Sequence, residues 1–268
     1  MPLGARLSLP SFRAAVAVTC AALVLAACST VPKDPTANLS LQELYALARE
    51  EMDVGAYDKA VPLLEKLEGR AVGTPLAQQA QLDRAYAHHK AGEPLLAVAV
   101  LDRFMKQHPA SPVLDYALYL KGVVNFQDDL GPFASVTRQD LSERDQKSAK
   151  DAFDAFQELV RRFPASRYAA DATHRMRYIV NLLAQSEVHV ARYYLQRGAY
   201  LAAANRAQTA VTDYPGAAST AQALDILVRA YDAMGMTQLR DDARRVLEHN
   251  YPQGVPAHTK ERPWWKFW

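Results

Sequence analysis

Gly55-Ala56-Tyr57-Asp58-Lys59-Ala60 and Gly198-Ala199-Tyr200-Leu201-Ala202-Ala203 share the pattern Gly-x-Tyr-x-x-Ala, and Gly92 to Ala97 is a weaker copy. Each copy opens with a residue suited to a tight turn and runs on with apolar residues at helical spacing. A proline closes the later copies, as His108-Pro109, Phe163-Pro164, Tyr214-Pro215 and Tyr251-Pro252. Proline cannot continue a helix and biases the residue before it away from helical backbone. Upstream, Ser40-Leu41-Gln42-Glu43 has the spacing of a capping box, so a helix is predicted to begin there. Beyond Ser40 no stretch alternates with period two, and proline is absent from 133 to 163 and from 165 to 214. The chain therefore reads as all-α.

This arrangement resembles the tetratricopeptide repeat, a pair of antiparallel helices of about 34 residues with small residues where the helices touch and a proline after the second. In that register Ala48, Ala85, Gly122 and Ala191 are the small contacts of the first helices, and Ala60, Ala97, Ala152 and Ala203 those of the second. Asn125 and Ala152 stand too far apart for one unit, which implies an insertion of about 18 residues in the third. Arg167 to Ala184 adds about 17 more, read as an elongated first helix of the fourth. What is left between Leu41 and Pro252 fits five units of about 35 residues. The reading is an α-solenoid of about five repeats over residues 40–252, with an insertion at 126–147. Arg240 stands where the fifth unit expects alanine.

Half of the 268 residues are apolar and 22% are charged, which excludes a disordered, collagen-like or disulfide-stapled protein. With 31 Lys plus Arg against 29 Asp plus Glu there is no basic excess of the kind that nucleic acid requires. After Arg6 and Arg13 comes an uncharged run from Ala14 to Ala27, followed by Cys28. As a helix that run rises about 21 Å, short of the ~30 Å hydrocarbon core, so residues 1–27 read as an export signal rather than a membrane span. Leu25-Ala26-Ala27-Cys28 resembles the bacterial lipoprotein signal, in which the cysteine is lipidated and becomes the new N-terminus; the plainer reading is an ordinary signal peptide. Without residues 1–27 the two charge counts balance, and Cys28 is the one remaining thiol. Two or three acyl chains anchor a protein stably where one does not. Ser29 after the cysteine implies, by the same resemblance, sorting to the outer membrane with the body facing the periplasm. Residues 28–39 read as lipidated cysteine and tether, being poor in apolar residues and holding two prolines.

The order of these features carries a closer likeness. Asp102-Arg103-Phe104, His108-Pro109-Ala110-Ser111-Pro112, Asp115-Tyr116, Tyr119 and Gly122 precede an insertion ending in Arg144-Asp145. Ala152-Phe153, Phe163-Pro164, Tyr168, Asp171-Ala172, Ala191-x-Tyr193-Tyr194, Arg197-Gly198-Ala199 and Asn205-Arg206 follow. Together they resemble the BamD family, also called ComL. The likeness covers essentially the whole chain after Cys28. It implies a lipoprotein subunit of the machine that folds β-barrel proteins into the outer membrane, with a BamA-like barrel insertase and other assembly lipoproteins as partners and unfolded barrel proteins as clients. Two departures stand out: an aromatic-rich stretch frequent in the family reads Arg70-Ala71-Val72-Gly73-Thr74-Pro75 here, and Pro263-Trp264-Trp265-Lys266-Phe267-Trp268 is not a general family feature.

First-helix positions 2, 5, 9, 12 and 13 of such a repeat face a concave groove. Here they include Tyr45 and Arg49, then Gln79, Tyr86, His89 and Lys90, then Tyr116, Tyr119 and Phe126. Aromatic faces with scattered cations suit an extended peptide carrying aromatic side chains and a carboxylate, the kind of strand that commonly ends a barrel protein. The other reading makes several of these tyrosines core residues. Asn205 and Arg206 lie on the second helix of the fourth unit, which by resemblance belongs to the insertase-docking half. The aromatic segment within 253–268 has three readings: bilayer interface, a groove of a partner or of this chain, or a frayed end.

Catalysis has little support. The seven histidines include no pair three or four residues apart, and neither a Gly-x-Ser-x-Gly elbow nor a phosphate loop occurs. The expectation is no enzyme, no metal and no cofactor other than the covalent lipid on Cys28. A generic periplasmic repeat adapter is the nearer alternative, and a cell-wall enzyme the more distant one.

Overall fold

The computed structural model describes residues 34–126 and 146–255; Cys28, the signal segment, the body of the insertion and the tryptophan-bearing segment lie outside the described residues. Ser40 starts the first helix as its spacing predicts. Its hydroxyl accepts from the Glu43 backbone at 3.2 Å, and the Glu43 carboxylate accepts from the Ser40 backbone at 2.8 Å. Ten helices follow among the described residues: α1 (Leu41–Asp53), α2 (Tyr57–Arg70), α3 (Pro75–Lys90), α4 (Pro94–Gln107), α5 (Leu114–Asn125), α6 (Lys147–Arg162), α7 (Ala169–Gln196), α8 (Tyr200–Asp213), α9 (Thr220–Ala233) and α10 (Thr237–Asn250). Consecutive helices pack on one another, and first helices also touch across units, α3 on α5 and α7 on α9. This is the five-unit stack read from the sequence.

Local chemistry places the breaks. Gly55, Gly92 and Gly198 adopt φ of +78°, +78° and +76° at the turns of units one, two and four, a backbone region in which a β-carbon is strained. His108, Phe163, Tyr214 and Tyr251 end α4, α6, α8 and α10, each directly before its proline. Ala48, Ala85, Ala191, Ala60, Ala97, Ala152 and Ala203 are all fully buried, and Gly122 is buried too. At Gly122 the reason is contact: an added β-carbon would lie 2.6 Å from Cδ1 of Phe156 across the α5–α6 interface.

The core is a chain of clusters rather than one centre, as expected of repeats that bury their faces only against neighbours. Leu44, Leu64 and Leu67 fill the first, Leu82, Leu101 and Phe104 the second, Leu118, Phe156 and Ile179 the third, and Val188, Ala203 and Leu227 the fourth. Helix α7, with 28 residues, is the elongated first helix expected, about 42 Å long. Its Ile179 and Leu183 belong to the third cluster and its Val188 and Ala191 to the fourth.

One buried charge sits between units one and two. Arg84 of α3, 5% exposed, pairs with Glu68 at 2.9 Å and Glu65 at 3.3 Å, and Glu68 also takes Arg103 of α4 at 2.8 Å. One carboxylate thus joins three helices.

Two boundaries differ from the sequence reading. The last residues of the stretch read as tether are pinned: Lys66 pairs with Asp34 at 2.8 Å, and Arg70 donates to the carbonyls of Thr36 and Leu39 at 3.3 and 2.6 Å. Thr36 is 7% exposed. The segment is poor in apolar groups, so hydrogen bonds rather than apolar burial hold it. Helix α6 begins at Lys147, which shortens the insertion by one residue at that end.

Candidate functional site

The expected tyrosines stand on successive first helices. Tyr45 on α1, Tyr86 on α3, and Tyr116 and Tyr119 on α5 are all half-buried. Tyr45 and Tyr86 lie against the first core cluster, Tyr116 against the second and Tyr119 against the third. Each ring rests on core while part of it stays accessible.

Two of the hydroxyls, those of Tyr45 and Tyr119, are held by acids of the following unit. Tyr45 donates to Asp83 Oδ2 at 2.9 Å, and Gln79 donates to Asp83 Oδ1 at 2.9 Å. Tyr119 donates to Asp171 Oδ2 at 2.7 Å, and Arg175 pairs with the same oxygen at 2.6 Å. Burial pushes the Asp83 carboxyl above the usual carboxylate range, against the two hydrogen bonds it accepts. Burial also pushes Tyr45, Tyr116 and Tyr119 up to about 12; the nearby Asp83 charge adds to this at Tyr45 and Tyr116, and the Asp171 bond adds to it at Tyr119. All three stay neutral, and Tyr45 and Tyr119 donate.

Tyr168, at the N-cap of α7, completes the surface. Its ring stacks on Tyr119 with centroids 4.7 Å apart and 19° between planes, and lies 5.7 Å from Tyr116. The exposed Arg167 guanidinium sits 4.7 Å from the Tyr168 centroid. Three aromatic rings and a cation thus meet where units three and four join. At the other end Tyr57 meets Tyr86 edge-on at 6.3 Å.

The remaining expected groove residues divide. Arg49 is exposed and pairs with Asp53 at 3.7 Å, and Lys90 is exposed. His89 is partly buried; burial, and then the Lys90 charge, lower its pKa. Phe126 does not belong to the groove: α5 ends at Asn125, so its ring turns inward, 6% exposed, and meets Tyr178 edge-on at 5.7 Å. Asp83, Arg167, Tyr168, Asp171 and Arg175 were outside the expected site. Tyr168 and Asp171 stood only among the family marks, and no local spacing ties either to Tyr119.

In the fourth unit Asn205 is exposed on α8. Arg206, with half its side chain exposed, pairs with Glu187 of α7 at 3.1 Å. Among the described residues no group of three or more His, Cys, Asp and Glu is placed to hold a metal, and no helix is long and apolar enough to cross a membrane.

Comparison with known proteins agrees with this architecture. Residues 37–247 match the family described as YfiO, outer membrane lipoprotein. An outer membrane protein assembly factor BamD of Neisseria meningitidis serogroup B is 45% identical over 255 residues, covering 92% of this chain and 96% of that protein. BamD of Neisseria gonorrhoeae is 44% identical over 256 residues, with the same two coverages. BamD of Haemophilus influenzae is 34% identical over 230 residues, covering 86% of this chain and 87% of that one. With a family match over most of its length and relatives alike from end to end, the chain belongs to the BamD (YfiO) family of outer-membrane lipoproteins.

Proposed function

We propose that the protein is a lipid-anchored, periplasm-facing subunit of the outer-membrane β-barrel assembly machinery, and that it works by binding rather than by catalysis. Cys28 carries the lipid. Units one to three hold the C-terminal segment of unfolded barrel proteins, and units four and five, through Asn205 and Arg206, dock a BamA-like insertase alongside other assembly lipoproteins. The observation that carries the client half is the set of half-buried tyrosines from Tyr45 to Tyr168, each resting on core, with the Tyr45 and Tyr119 hydroxyls held by acids and Tyr168 stacked on Tyr119. Pre-organised aromatic faces lose little entropy on binding, and the exposed Arg49, Lys90 and Arg167 supply partners for a carboxylate. The family relatives, named as outer membrane protein assembly factors, support the same reading.

The test is fluorescence anisotropy with a labelled peptide copied from the C-terminus of a barrel protein. Tyr86→Ala with Tyr119→Ala removes two aromatic contacts worth about 0.5–1.5 kcal/mol each, so affinity falls about tenfold. Unchanged affinity sinks the client half. The docking half is read separately, by co-purification of the insertase from detergent-solubilised membranes with Arg206→Ala as bait; full recovery refutes a docking role for Arg206.

A further inference from the structure

The concave face changes character past Tyr168. Between α7 and α9 it forms a cleft of about 340 Å³ lined by Arg192, Leu195, Gln222, Asp225, Ile226 and Arg229, with Val255 at its edge. These first-helix residues continue the face that carries the tyrosines, but here the exposed chemistry is guanidinium and amide. Arg192 donates to Gln222 at 3.0 Å, and Arg229 lies 3.7 Å from Asp225, so the two helices present a pair of braced planar cations beside the apolar sides of Leu195 and Ile226.

Val255 is the last described residue, and thirteen more follow it to Trp268. They include Pro263-Trp264-Trp265-Lys266-Phe267-Trp268. Trp264 stands nine positions beyond Val255, a reach of up to about 30 Å, while packed helices lie only about 10 Å apart. The chain therefore enters this segment at the cleft with more than enough length to fold back over it. Tryptophan is the side chain that a guanidinium plane stacks on best, and the cleft pairs two such planes with apolar walls.

We infer that the cleft between α7 and α9 is the seat of the chain's own C-terminal segment, with indoles of Trp264, Trp265 or Trp268 stacked on Arg192 and Arg229 and resting on Leu195 and Ile226. Seated there, the segment keeps its indoles out of water.

The chain's composition makes this directly measurable, because its three tryptophans are Trp264, Trp265 and Trp268. Tryptophan emission of the intact mature protein, without lipid or partner, reports on this segment alone. The expected result is blue-shifted emission with protection from acrylamide, both unchanged on dilution. Arg192→Gln with Arg229→Gln, at a half-buried and an exposed position whose replacement leaves the helical circular dichroism intact, shifts emission to that of a free indole and raises quenching to the value of a short tryptophan peptide. Arg192→Lys with Arg229→Lys, which keeps charge but not the plane, gives part of the same shift. Solvent-like emission in the unmodified protein overturns the inference. So does blue-shifted emission indifferent to the arginine changes, which places the segment elsewhere, or one lost on dilution, which places it on a second copy.

Discussion

The Tyr119 hydroxyl donates to Asp171 across the junction of units three and four, at 2.7 Å, and its ring stacks on Tyr168 of the same helix cap. Tyr45 and Asp83 repeat that relation between units one and two at 2.9 Å. Tyr45 and Tyr119, proposed for client binding, are therefore also joints between units.

Alkaline pH should expose this. Tyr45, Tyr116 and Tyr119 titrate at about 12 in the folded chain, against about 10 for an unfolded tyrosine. The folded state thus binds more protons between those values. Stability is fully present below pH 10 and is lost as pH rises toward 12. Tyrosinate absorbance should show a late-titrating class, and Tyr45→Phe with Tyr119→Phe should shrink it. Early, uniform titration would contradict the geometry.

Gly122→Ala should destabilise by about 1–3 kcal/mol, because its β-carbon meets the Phe156 ring. For a chain of this size that lowers Tm by several degrees. Phe156→Leu costs stability alone, yet should recover part of the loss when combined with Gly122→Ala, since the two changes share one space. Thermal unfolding followed by circular dichroism tests both; additive losses would mean that the ring moves aside freely.

Glu68→Ala should cost about 3 kcal/mol, more than its own contacts suggest, because it leaves the buried Arg84 guanidinium with the exposed Glu65 as its one remaining carboxylate. Replacing the cation itself, by Arg84→Met, should cost far less. Equal losses in urea unfolding would show that water reaches Arg84.

Lys66→Ala with Arg70→Ala should release residues 34–39 without unfolding the stack. The Ala37 and Leu39 amides, which donate to Asp34 and Thr36 in the pinned turn, should then lose hydrogen-exchange protection. Unchanged protection would mean that the turn holds itself. The Asp34 carboxyl, held at about 2 first of all by its hydrogen bond to Lys66, keeps the clamp intact well below neutral pH; the clamp should loosen only as pH falls from about 4 toward 2.

Much of the fold was legible because its signals are local. The Ser40–Glu43 box, the turn glycines and the prolines after each second helix act within a few residues of where they stand, and the structure keeps each. Buried alanines at the helix contacts follow from the repeat register alone. The pinned residues 34–39 were not legible, since their partners Lys66 and Arg70 lie about thirty residues away and polar clamps leave no apolar pattern. Nor was the inward turn of Phe126, which depends on α5 stopping one residue earlier than the register suggests. The tyrosine positions on the first helices followed from the repeat register, but the acids that hold Tyr45 and Tyr119, Asp83 and Asp171, belong to the next unit and show no spacing signal.

Helix α7 serves the cores of both halves of the stack, the front through Ile179 and the rear through Val188. It acts as a stiff strut. Because one unbroken rod is embedded in both cores, it fixes the spacing between the front and rear units.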